Sequence, residues 1–491
     1  MENNNIINKS NPPSSNRESI YEDCESVIKS NSLRNLYIFP NQQVFQQNQS
    51  ISKIKKLQNQ EIFNSNVLNL LNEYKTPSSY LKDTYQQIQP KISAGIIEPH
   101  LDNLIQLQSF QADSDSIWIC KFSYNGKYLA TGGKSSVLKI WEVLTTEESI
   151  EQYENHTINK YCNFISDNAI RIYTEHSSDI IDIAWSNHNE NLLVSVSLDH
   201  SAILWDINQK SSVKVFHHNA IVTCIDFLPF EAQSFLIEQP LNNNNNQNQI
   251  RDLFVTGCFD KIIRVWEIPI KNHIKTNDIT EDEGEPNLYI NVTEYITAIA
   301  FFPDGDYLAL GSSDGKISVY DCHKQLRYSY SFTCRNQSGK YSSGRKITKI
   351  HFKNRTQCII TTNDSRIRLV NVIDGTIIKK FKGHLNEEGM IKADYEEIYG
   401  MIMCPSEDNY IYFWNCDVGN SLKNYCYEYI YPYNSKNEGN ITCSIFVNDT
   451  WLDEYNKKIQ KIVPQCFIRT IIITTSSKGN VQVLLNYEDI S

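Results

Sequence analysis

Five aspartates recur in one setting, each six residues before the end of a short apolar stretch: Asp199 with Trp205, Asp260 with Trp266, Asp314 with Tyr320, Asp364 with Val370, and Asp408 with Trp414. Carboxylates in such a series invite a catalytic reading, because positioned acids carry much general acid–base chemistry. Their setting argues against it. Each stands in a two- or three-residue turn between two strand-like runs. There its oxygens accept hydrogen bonds from turn N–H groups that otherwise go unpaired. The aspartates are therefore read as caps of their own hairpins. Other chemical motifs fail on context. Gly133-Lys134-Ser135 ends like a phosphate-binding loop, but the glycine required five residues before Gly133 is Tyr128, and the segment reads as a hairpin. Gly311 to Lys316 is one residue short of the same motif. No nucleophile elbow, His-Glu-x-x-His pair or Cys-x-x-Cys spacing is read, so neither an enzyme, a metal site nor a cofactor is expected. His217-His218 is not read as a metal pair, since neighbouring side chains between strands point apart.

The elements behind the aspartates form a repeat, and a repeat dictates architecture before any local feature does. Two further segments follow the template without the Asp, with Ser135 and Trp141 in one and Lys478 and Leu484 in the other, which makes seven units. Glu175 to Trp205 is the sharpest copy. Ile180, Ile183 and Trp185 lie in a first strand, Leu192 to Ser197 form a second, and Ser201 to Trp205 a third. Short runs rich in β-branched and aromatic residues, bounded by Asn, Asp and Ser, are strand signals. The first strands align without gaps as Ile117-x-x-Cys120-Lys121-Phe122, Ile180-x-x-Ile183-Ala184-Trp185, Val222-x-x-Ile225-Asp226-Phe227, Ile296-x-x-Ile299-Ala300-Phe301 and Ile347-x-x-Ile350-His351-Phe352.

These units resemble the WD-repeat family, whose four-stranded propeller blades recur at roughly 40–45 residues. In that family a His, the turn Asp, a Ser or Thr and the Trp form a buried hydrogen-bonded set. The resemblance places His176, Ser195, Asp199 and Trp205 in one set and His218, Thr256, Asp260 and Trp266 in another. A third keeps His384, Asp408 and Trp414, with Cys404 in the Ser/Thr place, while units one, four, five and seven lack the His. The expected fold is all-β, a seven-bladed WD-repeat β-propeller over residues 103–491. Its last blade supplies only three strands, from Ile441 to Val447, Thr470 to Thr475 and Val481 to Leu485. The fourth is expected from Asn103 to Phe110, a swap that clasps the chain ends and covers an open edge. Spacing between third strands runs from 44 residues (Val370 to Trp414) to 70 (Trp414 to Leu484). The excess is assigned to loops near Glu147–Ala169, Glu231–Arg251, Asn272–Asn287 and Thr450–Gln465.

Composition sets bounds. A net charge of −11, from 46 basic and 57 acidic residues, disfavours nonspecific nucleic-acid binding. No apolar run approaches the roughly 20 residues that span a bilayer. The start shows no apolar signal region, so the cysteines, Cys120, Cys224, Cys258, Cys358 and Cys443 among them, are expected as reduced, buried thiols. Residues 1–100 are rich in Asn, Gln and Ser and are expected to be largely disordered, with one amphipathic helix over 54–74 carrying Ile62, Val67, Leu70 and Leu71 on its apolar side.

Function in a propeller concentrates in loops held at its rims. At blade five the incoming loop brings Arg335, Lys340, Tyr341, Arg345 and Lys346, and the next hairpin brings Arg366. This cluster on an acidic protein is the candidate partner site, for an acidic or phosphorylated segment or a lipid headgroup. Arg368 is set apart as scaffold, because Lys139 and Arg264 occupy the same third-strand position. The stretch Gly344 to Val372, with the later KGHLNEEGMIKADY and SEDNYIYFWN, resembles the WD-repeat branch of Rab-binding proteins related to rabphilin. That resemblance implies a cytoplasmic, noncatalytic scaffold in vesicle traffic. It would engage a Rab-type small GTPase, with peripheral association at most on endosomal or Golgi membranes. Two alternatives fit less well. A ubiquitin-ligase substrate receptor often carries Trp-Asp-x-Arg, and here Trp205-Asp206-Ile207-Asn208 lacks the Arg; a phosphoinositide-binding propeller carries Phe-Arg-Arg-Gly, which is absent.

Overall fold

The computed structural model describes residues 91–92, 101, 104–144, 164–229, 252–268, 285–336, 342–417, 425–426, 429–433, 439–462 and 466–489. The helix expected over 54–74 and most of the assigned connecting loops lie outside them. Two compact units divide the chain: Met1–Phe45 with Glu388–Met390, of which only the latter three are described, and Gln46–Glu387 with Ile391–Ser491. The second unit holds seven antiparallel four-stranded blades, two of which carry a short extra strand.

Blade one runs through Ile117–Phe122, Tyr128–Gly133, Leu138–Glu142 and Arg171–Tyr173, and blade two through Ile180–Trp185, Leu192–Ser197, Ser201–Asp206 and Lys214–His217. Blade three holds Val222–Phe227, Asp252–Cys258, Ile262–Ile268 and Leu288–Asn291; blade four holds Ile296–Phe301, Tyr307–Ser312, Lys316–Asp321 and Arg327–Thr333. Blade five holds Ile347–Phe352, Gln357–Thr362, Arg366–Asn371 and Ile377–Lys382; blade six holds Asp394–Glu396, Met401–Pro405, Tyr410–Asn415 and Tyr429–Pro432. In blade seven Ile441–Phe446, Cys466–Ser476 and Asn480–Asp489 pair in order, and Leu104–Gln111 adds antiparallel to Asn480–Asp489 as the fourth strand. The expected seven-bladed ring and its borrowed strand are both present. Tyr425–Cys426 adds a parallel edge to blade five, and Lys91–Ile92 an antiparallel one to blade six.

Burial falls from the axis outward. All six residues of Ile180–Trp185 are buried, whereas the outer strand Arg327–Thr333 is exposed or half-buried. A strand covered on both faces reads as a nearly continuous apolar run, which is why the first strands were the most regular part of the sequence. Six of the seven first strands also carry a register shift at the same place, after their first residue. A bulge re-aims the side chain it holds. In four blades that side chain is a threonine. Thr223 Oγ1 donates to Ile296 O at 2.8 Å, Thr297 to Ile347 O at 2.7 Å, and Thr348 to Ile391 O at 2.6 Å. Thr442 donates to Ile117 O across the junction of blades seven and one. Each hydroxyl thus ties one blade to the backbone of the next. Gly311 permits the matching close approach, since a Cβ there would sit 2.8 Å from Ile347 Cγ2.

The closing strand is tied to blade one as well. Gln108 Nε2 donates to Ile165 O at 2.9 Å, and its Oε1 accepts from Phe164 N and Ile165 N at 3.1 and 3.0 Å. Ser116 Oγ donates to Ser477 O at 2.8 Å. Cys120 and Cys443 bring their thiols within 3.7 Å at the same junction. Nine cysteines, Cys120 and Cys443 among them, are free and buried.

One expectation is corrected. Strand spacing assigns Thr450–Gln465 to a loop, but helix α1 spans Asp449–Ile462. Trp451, Leu452 and Tyr455 fall on one face and are buried, with Trp451 edge-on to Phe164 at 4.9 Å. Asn456 makes a two-way amide bond with Ile468, donating to its carbonyl at 2.7 Å and accepting from its N–H at 2.8 Å. The helix forms because the edge of blade seven offers an apolar surface and free backbone groups. Pro464, two residues beyond its end, is a natural stop.

Thr297→Val removes one inter-blade donor at constant shape. Urea unfolding should show a loss of about 1–2 kcal/mol, with Thr297→Ser retaining most of it; an unchanged midpoint in the valine variant would show that these bonds contribute nothing.

Candidate functional site

The predicted polar sets differ blade by blade. In blade two all four residues meet: His176 Nδ1 and Nε2 lie 2.8 Å from Asp199 Oδ2 and Ser195 Oγ, and Trp205 Nε1 donates to Ser195 Oγ at 2.8 Å. Burial works against the Asp199 carboxylate, but the hydrogen bonds from His176 and Ser201 outweigh it and hold the group well below the usual carboxylate range. In blade three His218 and Trp266 share Thr256 Oγ1, each at 2.9 Å, while Asp260 is not joined to the histidine. His218 Nδ1 lies 3.0 Å from its neighbour Phe216 O, and Asp260 takes Arg264 at 2.6 Å. Burial, reinforced by the Arg264 charge, lowers His218 to about 3.

Blade six has the right residues and an incomplete set. Cys404 Sγ turns to Pro405 O, and Trp414 Nε1 and both ring nitrogens of His384 find no hydrogen-bond partner among the described residues. Asp408 instead accepts from Tyr412 Oη at 2.7 Å. Blade one contains a member that the sequence reading missed. Asp113 occupies the place before the first strand that His176 holds in blade two, accepting from Ser135 Oγ at 2.9 Å and facing Lys139 at 3.4 Å. The signal was its offset, four residues before Ile117, as His176 precedes Ile180. Blade five replaces the histidine and tryptophan with a fully buried pair, Arg368 and Asp364, completed by Thr362 and by Asn336, which accepts from Arg368 at 2.9 Å. Lys139, Arg264 and Arg368 thus each hold a nearby acid, the two arginines the turn aspartate of their own hairpin and Lys139 the Asp113 that precedes the first strand.

Other motifs resolve into packing. Lys134 faces Asp115 at 3.4 Å, and Gly133 abuts the backbone of Ser116, leaving no cradle for a phosphate. His217 is exposed and His218 buried, so the two rings share no site. Gly311-Ser312-Ser313-Asp314-Gly315 spells the nucleophile-elbow pattern, a match the sequence reading passed over. It lies at the hairpin between Tyr307–Ser312 and Lys316–Asp321 of blade four, and the serine in the nucleophile position, Ser313, stands in the turn with its N–H donating to Tyr295 O at 2.9 Å. A nucleophile elbow requires a strand-to-helix turn.

A central cavity of about 490 Å³ opens among the first strands, lined by Lys121, Asp182, Asp226, His351, Lys392 and Asp394 among others. Its charges are matched. Asp182 of blade two reaches Lys392 of blade six at 3.0 Å, and Asp394 takes Lys349 at 2.6 Å. Asp394 also accepts from Phe446 N at 3.0 Å, and Asp226 from Phe301 N at 2.8 Å, so each joins its blade to the next. Burial raises Asp226 to about 6 and lowers His351 to about 4. No group of three metal-ligating side chains occurs among the described residues.

At the rim of blade five, Arg335 and Arg345 are exposed and Arg366 is half-buried, with Nη1 donating to Ser365 O at 2.6 Å. Lys346 does not belong with them. It is buried where the chain enters the first strand, and burial lowers its ammonium to about 7 against the pull of Glu407. Lys340 and Tyr341 lie outside the described residues.

Comparison with known proteins agrees with this architecture. A family model for the WD domain, G-beta repeat, matches residues 105–142 and 167–206. A second, for the N-terminal domain of nucleolar protein 10-like proteins, a β-propeller, matches residues 229–420. WD repeat-containing protein 44 of Xenopus laevis is 28% identical over 335 residues, 61% of this chain and 33% of that protein. The 2-deoxy-glucose resistant protein 2 of Saccharomyces cerevisiae is 23% identical over 412 residues, covering 70% of this chain and 42% of its own. Jouberin of Rattus norvegicus is 25% identical over 259 residues, covering 51% and 22%. The chain therefore spans less than half the length of these relatives. The matches carry the repeat and not the narrower Rab-binding branch.

Blade six supplies a direct test of the shared hydroxyl. Cys404→Ser should give Trp414 and His384 a common partner and raise stability by about 1 kcal/mol in urea unfolding. A loss of stability would mean that the serine is itself left unpaired.

Proposed function

We propose that this WD-repeat β-propeller is a noncatalytic scaffold that binds a protein partner through the rim of blade five. One observation carries the reading. The acids, histidines and basic third-strand residues of the described blades are largely spent on holding strands and blades together, whereas Arg335 and Arg366 reach no acid among the described residues of the blade-five rim. Unspent cations on a chain of net charge −11 favour an anionic partner, and guanidinium groups suit carboxylates and phosphates in particular. The resemblance of Gly344 to Val372 supports a Rab-type small GTPase as that partner, hence a place in vesicle traffic at the cytoplasmic face of endosomal or Golgi membranes.

Pull-down of the full chain with small GTPases loaded with GTP or GDP tests both parts. The expected result is GTP-dependent capture that falls at least tenfold in an Arg345→Glu, Arg366→Glu variant. Capture of no GTPase removes the Rab reading, and capture unchanged by the double substitution removes the rim as the site.

A further inference from the structure

The cationic surface does not end at the rim loops. Resting on the blade-five reading above, we propose that it continues down the outer half of blade five, through Arg366, Lys380 and Lys382, as a docking surface for an acidic segment of a partner protein. Register places these residues together. Arg366 lies directly opposite Lys382, and Arg368 opposite Lys380, so all four share one face of the sheet. Which face is settled by the residue between the lysines. Phe381 is buried and packs toward Trp414 of blade six, with ring centroids 6.2 Å apart. Lys380 and Lys382 therefore project the other way, toward the connection that brings in Arg335 and Asn336. Asn336 itself bonds Arg368 on that face.

Of these cations only Arg368 is neutralised, by its buried pair with Asp364. Among the described residues Lys380 and Lys382, both half-buried, make no ion pair, and the Arg366 side chain reaches only the Ser365 carbonyl. Like charges directly opposite on one sheet face destabilise it. Arg366 and Lys382 form such a pair, so the free protein carries a repulsion that an anion lying across both would relieve. Successive lysines on this face repeat every two residues, roughly 6.5–7 Å, close to the same-side spacing of an extended peptide. A membrane fits less well. The surface lies between blades rather than on a protruding tip, and Ile373, the most exposed large apolar residue of the described chain, sits in the turn at the opposite end of Lys382's strand.

The repulsion separates a binding role from a merely structural one. The full chain is titrated against a fluorescein-labelled fifteen-residue Glu/Asp peptide at low and moderate salt, and floated with vesicles containing phosphatidylserine. Lys380→Glu with Lys382→Glu should weaken peptide binding at least tenfold without lowering the melting temperature, because the carboxylate introduced at position 382 would face Arg366 as an opposite charge. Lys210→Glu with Lys457→Glu, the same charge change at exposed positions elsewhere, should weaken it less than threefold. No peptide binding overturns the proposal, as does an equal loss in the control variant. Vesicle binding in place of peptide binding assigns the surface to a membrane and overturns it too. A GTPase captured equally by wild type and the lysine variant sinks this inference alone. Peptide binding lost in the variant, with no GTPase captured by wild type, sinks only the Rab reading.

Discussion

A ring of sheets must find a partner for its last edge, and here Leu104–Gln111 fills that place by pairing along Asn480–Asp489. The remainder of the structure depends on this pairing. An unpaired strand edge is both unstable and an invitation to other chains, and closure removes it. The strand also reaches sideways: Gln108 spends its whole amide on Phe164 and Ile165 of blade one, so the residues that complete blade seven also fasten its neighbour. Around the inner wall the bulged threonines repeat the same task between successive blades, and Thr442 carries it over the junction.

Once the ring is closed, its polar chemistry divides by location. Near the axis, acids meet lysines or backbone N–H groups, and the pair between Asp182 and Lys392 joins blades that are not neighbours. Midway out, each blade solves the same hairpin with different residues: a histidine set in blade two, an aspartate in the histidine's place in blade one, and a buried arginine pair in blade five. A buried ion pair is weak evidence for stability by itself, since desolvation offsets much of its attraction. Its value here is geometric, because Arg368 positions Asn336 and with it the loop that presents Arg335. Scaffold and candidate surface therefore share one sheet.

Much of this was legible in the sequence because it is local. A turn aspartate and a tryptophan six residues apart sit in one hairpin, and aligned apolar first strands report burial on both faces. The borrowed strand was legible as a deficit, three strands where four were needed. What failed was adjacency between elements distant in sequence. The family resemblance places Asp260 beside His218, but Asp260 pairs instead with Arg264, four residues on. Lys346 reads as one more cation in a basic loop, yet it lies where the backbone dives inward and Lys380 and Lys382 take the outer face. Helix α1 was hidden because its apolar residues have meaning only against the edge of blade seven and Phe164.

Ring closure by an upstream segment is the claim on which the rims, and any partner they hold, depend. Hydrogen–deuterium exchange of the full chain, read by peptide mass, addresses it directly. Amides of Leu104–Gln111 should exchange as slowly as those of Asn480–Asp489, and both should lose protection together as urea is raised. Rapid exchange across Leu104–Gln111 while Asn480–Asp489 stays protected would show blade seven completed in some other way.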